Sequence, residues 1–242
     1  MYKDIFNRSE RLLGTEGLDR VKSKRVIIFG VGGVGSWCAE SLVRTGIQHL
    51  TIVDSDVVCE TNCNRQLMAT TKTIGQVKVE ALRSRLLEIN PEADIVALQK
   101  VYTHDTSDEF ELEKYDFIID AIDSLKDKAD LILKATSQKN AVFFSSMGAA
   151  LKIDPTAIRV CEFWKIKGDP LARAIRNKFK HNKEFPQRKF QCVYSEEVPL
   201  QNLGQTDEVC PGKAQVNGSL SHVTGIFGMT LAGLVVRHIS EK

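Results

Sequence analysis

Residues 25–36 read Arg-Val-Ile-Ile-Phe-Gly-Val-Gly-Gly-Val-Gly-Ser, and this stretch limits the chain to few folds. An apolar strand over 26–30 runs straight into Gly30, Gly32, Gly33 and Gly35, so the backbone must turn sharply through angles that other residues resist. Gly35 and Ser36 then open a helix over 36–45, whose free N–H groups and positive dipole end face whatever sits in the turn. That arrangement predicts a phosphate cradle. Most glycine turns of this kind bind NAD or FAD, so the residues further along the chain decide the nature of the ligand.

The pattern continues as strand and helix in alternation. After the 36–45 helix, closed by Gly46, come a strand over 50–54, a helix over 75–90 ended by Pro91, a strand over 94–98 and a short helix near 106–113. A strand over 115–120 leads to a helix over 124–138, capped by Ser124 and Asp127 with Leu125, Ala129, Ile132 and Leu133 facing inward. A strand over 141–145 closes the series. This is the signature of an α/β protein with a doubly wound, mainly parallel, Rossmann-like sheet, whose ligands sit at the carboxyl ends of the strands. Gly30, Asp54 and Asp123 all fall at or just after such ends. The division expected is a nucleotide-binding core over 1–150 with an N-terminal helical arm, and an extension over 151–242 that completes the same domain.

Asp54 lies where a dinucleotide fold holds a ribose hydroxyl, but the residues beyond it are not those of a plain dehydrogenase. The chain reads Asp54-Ser-Asp56, then Asn62-Cys-Asn-Arg65-Gln66, then Lys78 on the next helix, then Asp120-Ala-Ile-Asp123-Ser124. In that order these elements resemble the ubiquitin-activating-enzyme-like (ThiF/MoeB/HesA) adenylating family. Sulfur-carrier activators in that family usually carry two Cys-x-x-Cys pairs for a structural zinc. The cysteines at 38, 59, 63, 161, 192 and 210 have no such spacing, so no structural zinc is expected. The Ile153-Asp154-Pro155-Thr156, Asp169-Pro170-Leu171-Ala172 and Cys192-Val-Tyr-Ser195-Glu196-Glu197 segments are instead similar to the tRNA threonylcarbamoyladenosine dehydratase branch.

The resemblance implies ATP and Mg²⁺ as cofactors and a tRNA carrying threonylcarbamoyladenosine as substrate. Its threonyl carboxylate would be adenylated and then cyclised, releasing pyrophosphate and AMP. Arg65 and Lys78 match the family's phosphate-binding pair, Asn62 and Gln66 complete polar contacts in the same loop, and Asp123 matches the Mg²⁺ position. Asp54 takes the ribose and Asp56 orders the loop. Arg11 resembles an arginine that reaches the partner subunit's nucleotide, which requires a homodimer. A cysteine desulfurase system is a further implied partner. Two other readings stay open at this point: an adenylyltransferase for a ubiquitin-like sulfur carrier, and a Rossmann-fold NAD enzyme or sensor.

Past residue 150 the pattern changes. A strand over 156–163 precedes a helix that starts with Asp169 as cap and Pro170 at its first position. Leu171, Ile175 and Phe179 form an apolar stripe, opposite Arg173, Arg176, Lys178 and Lys180. Between 165 and 189 stand nine Lys or Arg and two acids, although the whole chain is only +2. Such a segment suits an RNA backbone or an ordinary solvated face, and the family resemblance favours RNA. The loop over 186–218 is expected to order on substrate binding.

Each residue also has a plainer role available. Asp56 or Asp123 can cap a turn or helix, Lys78 can be a solvated helix residue, and Cys192, Cys210 and His222 can be structural rather than reactive. With 43% apolar residues in 242, the chain can bury a large core. Unpatterned cysteines and a charged start, Met1-Tyr-Lys-Asp, point to a reducing, cytoplasmic setting. The apolar stretch 223–236 is too short for a membrane span and reads as a buried helix, with peripheral membrane association still open.

Overall fold

In the computed structural model, which describes residues 5–203 and 217–241, seven strands form one sheet in the order β3-β2-β1-β4-β5-β7-β6. The first five are β1 (Arg25–Phe29), β2 (His49–Val53), β3 (Asp94–Leu98), β4 (Phe117–Asp120) and β5 (Val142–Ser146), all paired in parallel. The extension then adds β6 (Ile158–Glu162) and β7 (Gln191–Ser195) to the same sheet. Strand β7 inserts parallel to β5, and β6 closes the edge antiparallel to β7.

Side chains on β1 alternate between two cores, as the two-residue period of a strand requires. Val26 and Ile28 face one core, Ile27 and Phe29 the other. The first core is covered by α2 (Gly35–Thr45), α3 (Lys78–Ile89) and α6 (Ser221–Ser240), the second by α4 (Leu125–Ser137) and α5 (Pro170–Asn182). The arm α1 (Asn7–Ser23) lies against α6 and kinks at Gly14, where φ is +73°.

Three elements differ from the pattern-based expectation by more than two residues, each for a physical reason. Helix α3 begins at Lys78, not at 75, because Val77 pairs with Val57 and Gly75 takes φ +85°. The helix expected over 106–113 is two 3₁₀ turns, Ser107–Phe110 and Leu112–Lys114, separated by Glu111 at φ +44°. Strand β7 lies in what reads as a loop between Pro186 and Pro199: it is a five-residue run buried from Cys192 to Ser195, too short to show a period. On α4, Leu125 does not face inward: as the first helical residue it is exposed, and Leu131 fills the core instead. Gly204 and Pro211 of the expected loop lie outside the described residues.

The apolar C-terminal stretch is α6, the one described helix long and apolar enough to cross a membrane. Its buried side explains that apolarity: Val223, Phe227, Leu231 and Val235 are fully covered, and the helix crosses α2 at Gly228. A Cβ at Gly228 would lie 2.3 Å from the Val34 carbonyl oxygen and 2.8 Å from Cys38 N. Gly228→Ala is therefore expected to cost about 1–3 kcal/mol, read as a lower urea midpoint at unchanged m-value.

Helices α2 and α3 are also joined by charge. Glu40 accepts from Arg85 Nε at 2.6 Å and from Arg44 Nε at 2.8 Å. Burial alone would raise the Glu40 pKa, but the two guanidiniums together hold it below the usual carboxylate value. A lowered folded pKa means stability that is full above the unfolded carboxylate range and is lost as pH falls through the folded value. Glu40→Gln should thus destabilise at pH 7, and that deficit should shrink as pH falls below the ordinary carboxylate range and through the lowered value, in paired urea titrations.

Candidate active site

The carboxyl ends of β1, β2, β4 and β5 open into one cavity of about 590 Å³. At its floor the chain leaves β1 through Gly30 at φ +82°, with Gly30 N donating to the Val53 carbonyl at 2.8 Å. Asp54 locks this turn: its Oδ2 accepts from Val31 N at 2.9 Å and its Oδ1 from Asp56 N at 3.0 Å. Asp56 in turn holds Lys78, with 2.8 Å between Oδ2 and Nζ. Lys78 is 5% exposed, and because α3 starts there, its ammonium is presented from the first position of the helix into the cavity wall.

Arg65 and Gln66 enter from the loop after β2. The Arg65 carbonyl accepts from Trp37 Nε1 at 3.1 Å, and its guanidinium also bonds the Thr61 carbonyl and Asn64 Oδ1. Gln66 is buried in the cavity wall, and its Oε1 has no hydrogen-bond partner among the described residues. Opposite them Asp123, in the turn after β4, and Asp127, in the first turn of α4, line the cavity. Gly30, Gly32, Gly33, Asp54, Asp56, Arg65, Gln66, Lys78 and Asp123, which lie far apart in sequence, thus share one cavity.

Four residues singled out from the sequence lie elsewhere. Gly35 stands behind the turn, where a Cβ would meet the Gly30 carbonyl oxygen at 1.9 Å, so its smallness serves packing. Ser36 is fully buried; its Oγ donates to the Gly32 carbonyl at 2.6 Å and accepts from Leu67 N, bracing the turn rather than lining it. Asn62 caps its own 3₁₀ turn, its Oδ1 accepting from Cys59 N at 3.0 Å. Arg11 is exposed on α1, bonded to Asn7 and outside the cavity.

Two features of the site escaped the pattern. Asp120 and Lys128 are fully buried beneath the β4 turn, 2.7 Å apart, with Ser145 Oγ donating to Asp120 at 2.6 Å. Asp120 Oδ1 also accepts from Ile122 N, and Lys128 donates to the Ile122 carbonyl. Together they fix the turn that carries Asp123. The second feature is Lys152, buried in the wall beyond β5, 3.6 Å from Asp169 Oδ2 and donating to the Ser195 carbonyl at 3.3 Å. Burial lowers the Lys152 pKa, and Asp169 opposes that shift. In the sequence Asp120 is an acid flanked by apolar residues and Asp169 reads as a helix cap, with no local pattern to name the lysine partner of either.

Cys192 does not offer a reactive thiol here. It is fully buried on β7 and burial pushes its thiol well above the ordinary value, which disfavours a thiolate nucleophile. Cys210 lies outside the described residues. His222 bonds the Ile153 carbonyl at 2.9 Å, in keeping with a structural role. No group of three metal-ligating side chains occurs among the described residues.

On the outer face of α5, Arg173, Lys178 and Lys180 point away from the core stripe of Ile175 and Phe179. Arg176 behaves differently: its Nη1 donates to the carbonyls of Phe163 and Ile166 at 3.1 and 2.9 Å, so it ties α5 to the preceding turn.

Compared with known proteins, residues 6–242 match the model of the ThiF family. The tRNA threonylcarbamoyladenosine dehydratase of Bacillus subtilis (strain 168) is 37% identical over 239 residues, which cover 96% of this chain and 92% of that protein. The crystal structure of Escherichia coli tRNA N6-threonylcarbamoyladenosine dehydratase in complex with AMP superposes with a TM-score of 0.88 at 31% identity, covering 98% of this chain and 94% of that one. The corresponding ATP complex gives a TM-score of 0.87 at 32% identity over the same shares.

Proposed function

This chain belongs to the ThiF family, and from that premise we propose that it is an ATP-dependent tRNA threonylcarbamoyladenosine dehydratase. The observation that carries the reading is the meeting of the glycine turn, Arg65, Lys78 and Asp123 around one cavity, in a chain whose full-length relatives bear that name.

The chemistry rests on the charges present. In the first step a carboxylate oxygen of the threonyl group attacks the α-phosphorus of ATP, and the bond to pyrophosphate breaks. Negative charge builds on the phosphate oxygens, and preorganised cations and N–H donors lower that barrier most effectively. Lys78 and Arg65 supply the cations; the backbone of the glycine turn at Gly32, Gly33 and Val34, which lines the cavity, supplies the fixed dipoles. Asp54, already accepting two backbone N–H bonds, has lone pairs left for a ribose hydroxyl. The orphan Gln66 Oε1 is an acceptor that a nucleotide N–H or O–H can satisfy.

Asp123 and Asp127 offer carboxylate oxygens in the cavity lining, the hard ligands that Mg²⁺ takes in ones or twos beside substrate phosphates; bound there, Mg²⁺ would offset phosphate charge. In the second step an atom of the same threonylcarbamoyl group attacks the activated carbonyl carbon. The bond to AMP breaks and one proton leaves, so the net loss is one water. Intramolecular attack gains most of its acceleration from proximity, and the cavity's role is to hold the acyl-adenylate away from competing water.

Further parts of the reading concern assembly. A homodimer would let Arg11 of one subunit approach the nucleotide of the other, a cysteine desulfurase system is the proposed sulfur-transfer partner, and the compartment is the cytoplasm. The outer face of α5 is proposed as tRNA-binding through Arg173, Lys178 and Lys180, with Arg176 holding that helix in place.

Mass spectrometry of nucleosides tests the central statement directly. After incubation with the protein, ATP and Mg²⁺, tRNA bearing threonylcarbamoyladenosine should yield that nucleoside lighter by one water, with equimolar AMP, and Asp123→Ala should abolish both. An unchanged nucleoside from a folded, ATP-binding protein would turn the assignment to activation of a sulfur-carrier protein.

A further inference from the structure

Two aromatic rings stand partly exposed on the basic surface. Trp164 is 38% exposed and Phe185 52% exposed, and their ring centroids lie 6.2 Å apart with planes at 41°. Trp164 comes directly after Phe163, whose ring is fully buried and stacks on Phe190 at 5.0 Å and edge-on to Phe179 at 6.1 Å. Phe163 therefore roots the turn, and the next ring, Trp164, packs edge-on against it at 5.3 Å while keeping its other side to solvent. The Arg176 hydrogen bonds to the carbonyls on either side of this turn fix it against α5. Phe185 comes just after α5, which ends with Lys183 in the left-handed conformation at φ +57°. Glycine is the usual residue at that position; here the chain keeps a lysine.

The charges around the rings are mostly of one sign. Lys165, Lys167, Lys180, Lys183 and Lys189 are exposed; the acids among them are Glu184, which is exposed, and the half-buried Glu162, whose carboxylate accepts from Trp164 N at 3.2 Å. Of the nine basic residues in this segment, Arg176 and Arg188 give their guanidiniums to backbone carbonyls. The Asp169 carboxylate is buried, so it does not offset the surface charge. Helix α5 links this patch to the cavity. Its first residues, Pro170 and Leu171, line the cavity, and thirteen residues carry it about 20 Å to the rings.

We propose that Trp164 and Phe185 form a stacking platform for an unpaired base of the RNA loop whose modified nucleotide enters the cavity, with the surrounding lysines holding that loop's phosphates. This rests on the function argued above. Enzymes that act on a base take it out of the stack, which leaves its neighbours unstacked. Single-stranded loops are held by aromatic side chains that accept any base face, and by basic groups that track the backbone. A helix running from the cavity mouth to an aromatic pair within a lysine field supplies both at the distance of a few nucleotides. An acidic protein surface would also meet the lysines, but the function argued above brings an RNA loop, with bases left unstacked, to this side of the cavity.

The test uses the full chain and an anticodon stem-loop RNA carrying threonylcarbamoyladenosine. The double variant Trp164→Ala/Phe185→Ala should raise both Kd and KM for the stem-loop, by roughly 5- to 100-fold. Its kcat at saturating RNA, ATP affinity and melting temperature should stay at wild-type values, and Trp164→Tyr should bind nearly as the parent does. The salt slope of binding should survive in the aromatic variants and flatten in Lys165→Ala/Lys167→Ala, because lysines release counterions and rings do not. Unchanged RNA affinity in the double variant, with the wild type active, overturns the platform alone; the patch would then be free for a protein partner. A wild type that neither binds nor dehydrates the stem-loop overturns the platform together with the functional assignment.

Discussion

Lys78→Ala is expected to lower the rate of carboxylate adenylation about 10²–10³-fold, the loss seen when one preorganised charge or donor is taken from a developing anion. The position makes this a clean experiment. Lys78 begins α3 and reaches the cavity wall held by Asp56 at 2.8 Å, so its ammonium is set in place before substrate arrives. Removing it leaves an Asp56 side chain that is 51% exposed and can be rehydrated, so the fold should be little affected. Lys78→Arg should recover only part of the rate, because a forked guanidinium is not a point charge. The measurement is AMP release under saturating ATP, with melting temperature as the control for folding. A variant within a few-fold of wild type would remove Lys78 from the machinery.

Lys128→Met is expected to have the largest effect on stability, about 3–5 kcal/mol, because it strands the Asp120 carboxylate in a fully buried site. For a chain of this size that corresponds to a fall of about 6–20 °C in melting temperature. The double variant Asp120→Asn/Lys128→Met should recover a good part of the loss, since the uncompensated charge is then gone, and the two changes should be clearly non-additive. Equal stability of wild type and Lys128→Met would mean that the pair is indifferent to the fold. Activity should drop in the double variant even where stability returns, because Asp120 and Lys128 together hold the Ile122 backbone next to Asp123.

What was legible in the sequence was local. The glycine turn, the acid ending β2 and the Asp169-Pro170 helix start are written within a few neighbouring residues, and each has a backbone reason that context does not override. The strand–helix alternation carried the order of β1 to β5 because those strands are continuous apolar runs, as a two-faced parallel sheet requires. What was missed depends on contacts between distant segments. Lys78 is moved to the head of α3 by the pairing of Val57 with Val77. Strand β7 becomes a strand only because β5 and β6 flank it. Arg176 looks like its basic neighbours until the turn at Phe163 is placed beneath it. Asn62 and Ser36 have the polar groups of ligands, yet nearby backbone groups claim them.

The crossing of α6 over α2 has an outcome for the order in which the molecule is made. Gly228 lies against the backbone at Val34, and Thr224 covers Gly33, so the final helix is the roof of the first motif. Domains generally fold as the nascent chain leaves the ribosome, but here the glycine turn waits for a helix far downstream of it. A chain translated short of α6 carries the nucleotide motif without its cover, and competence to consume ATP is expected only once α6 has emerged.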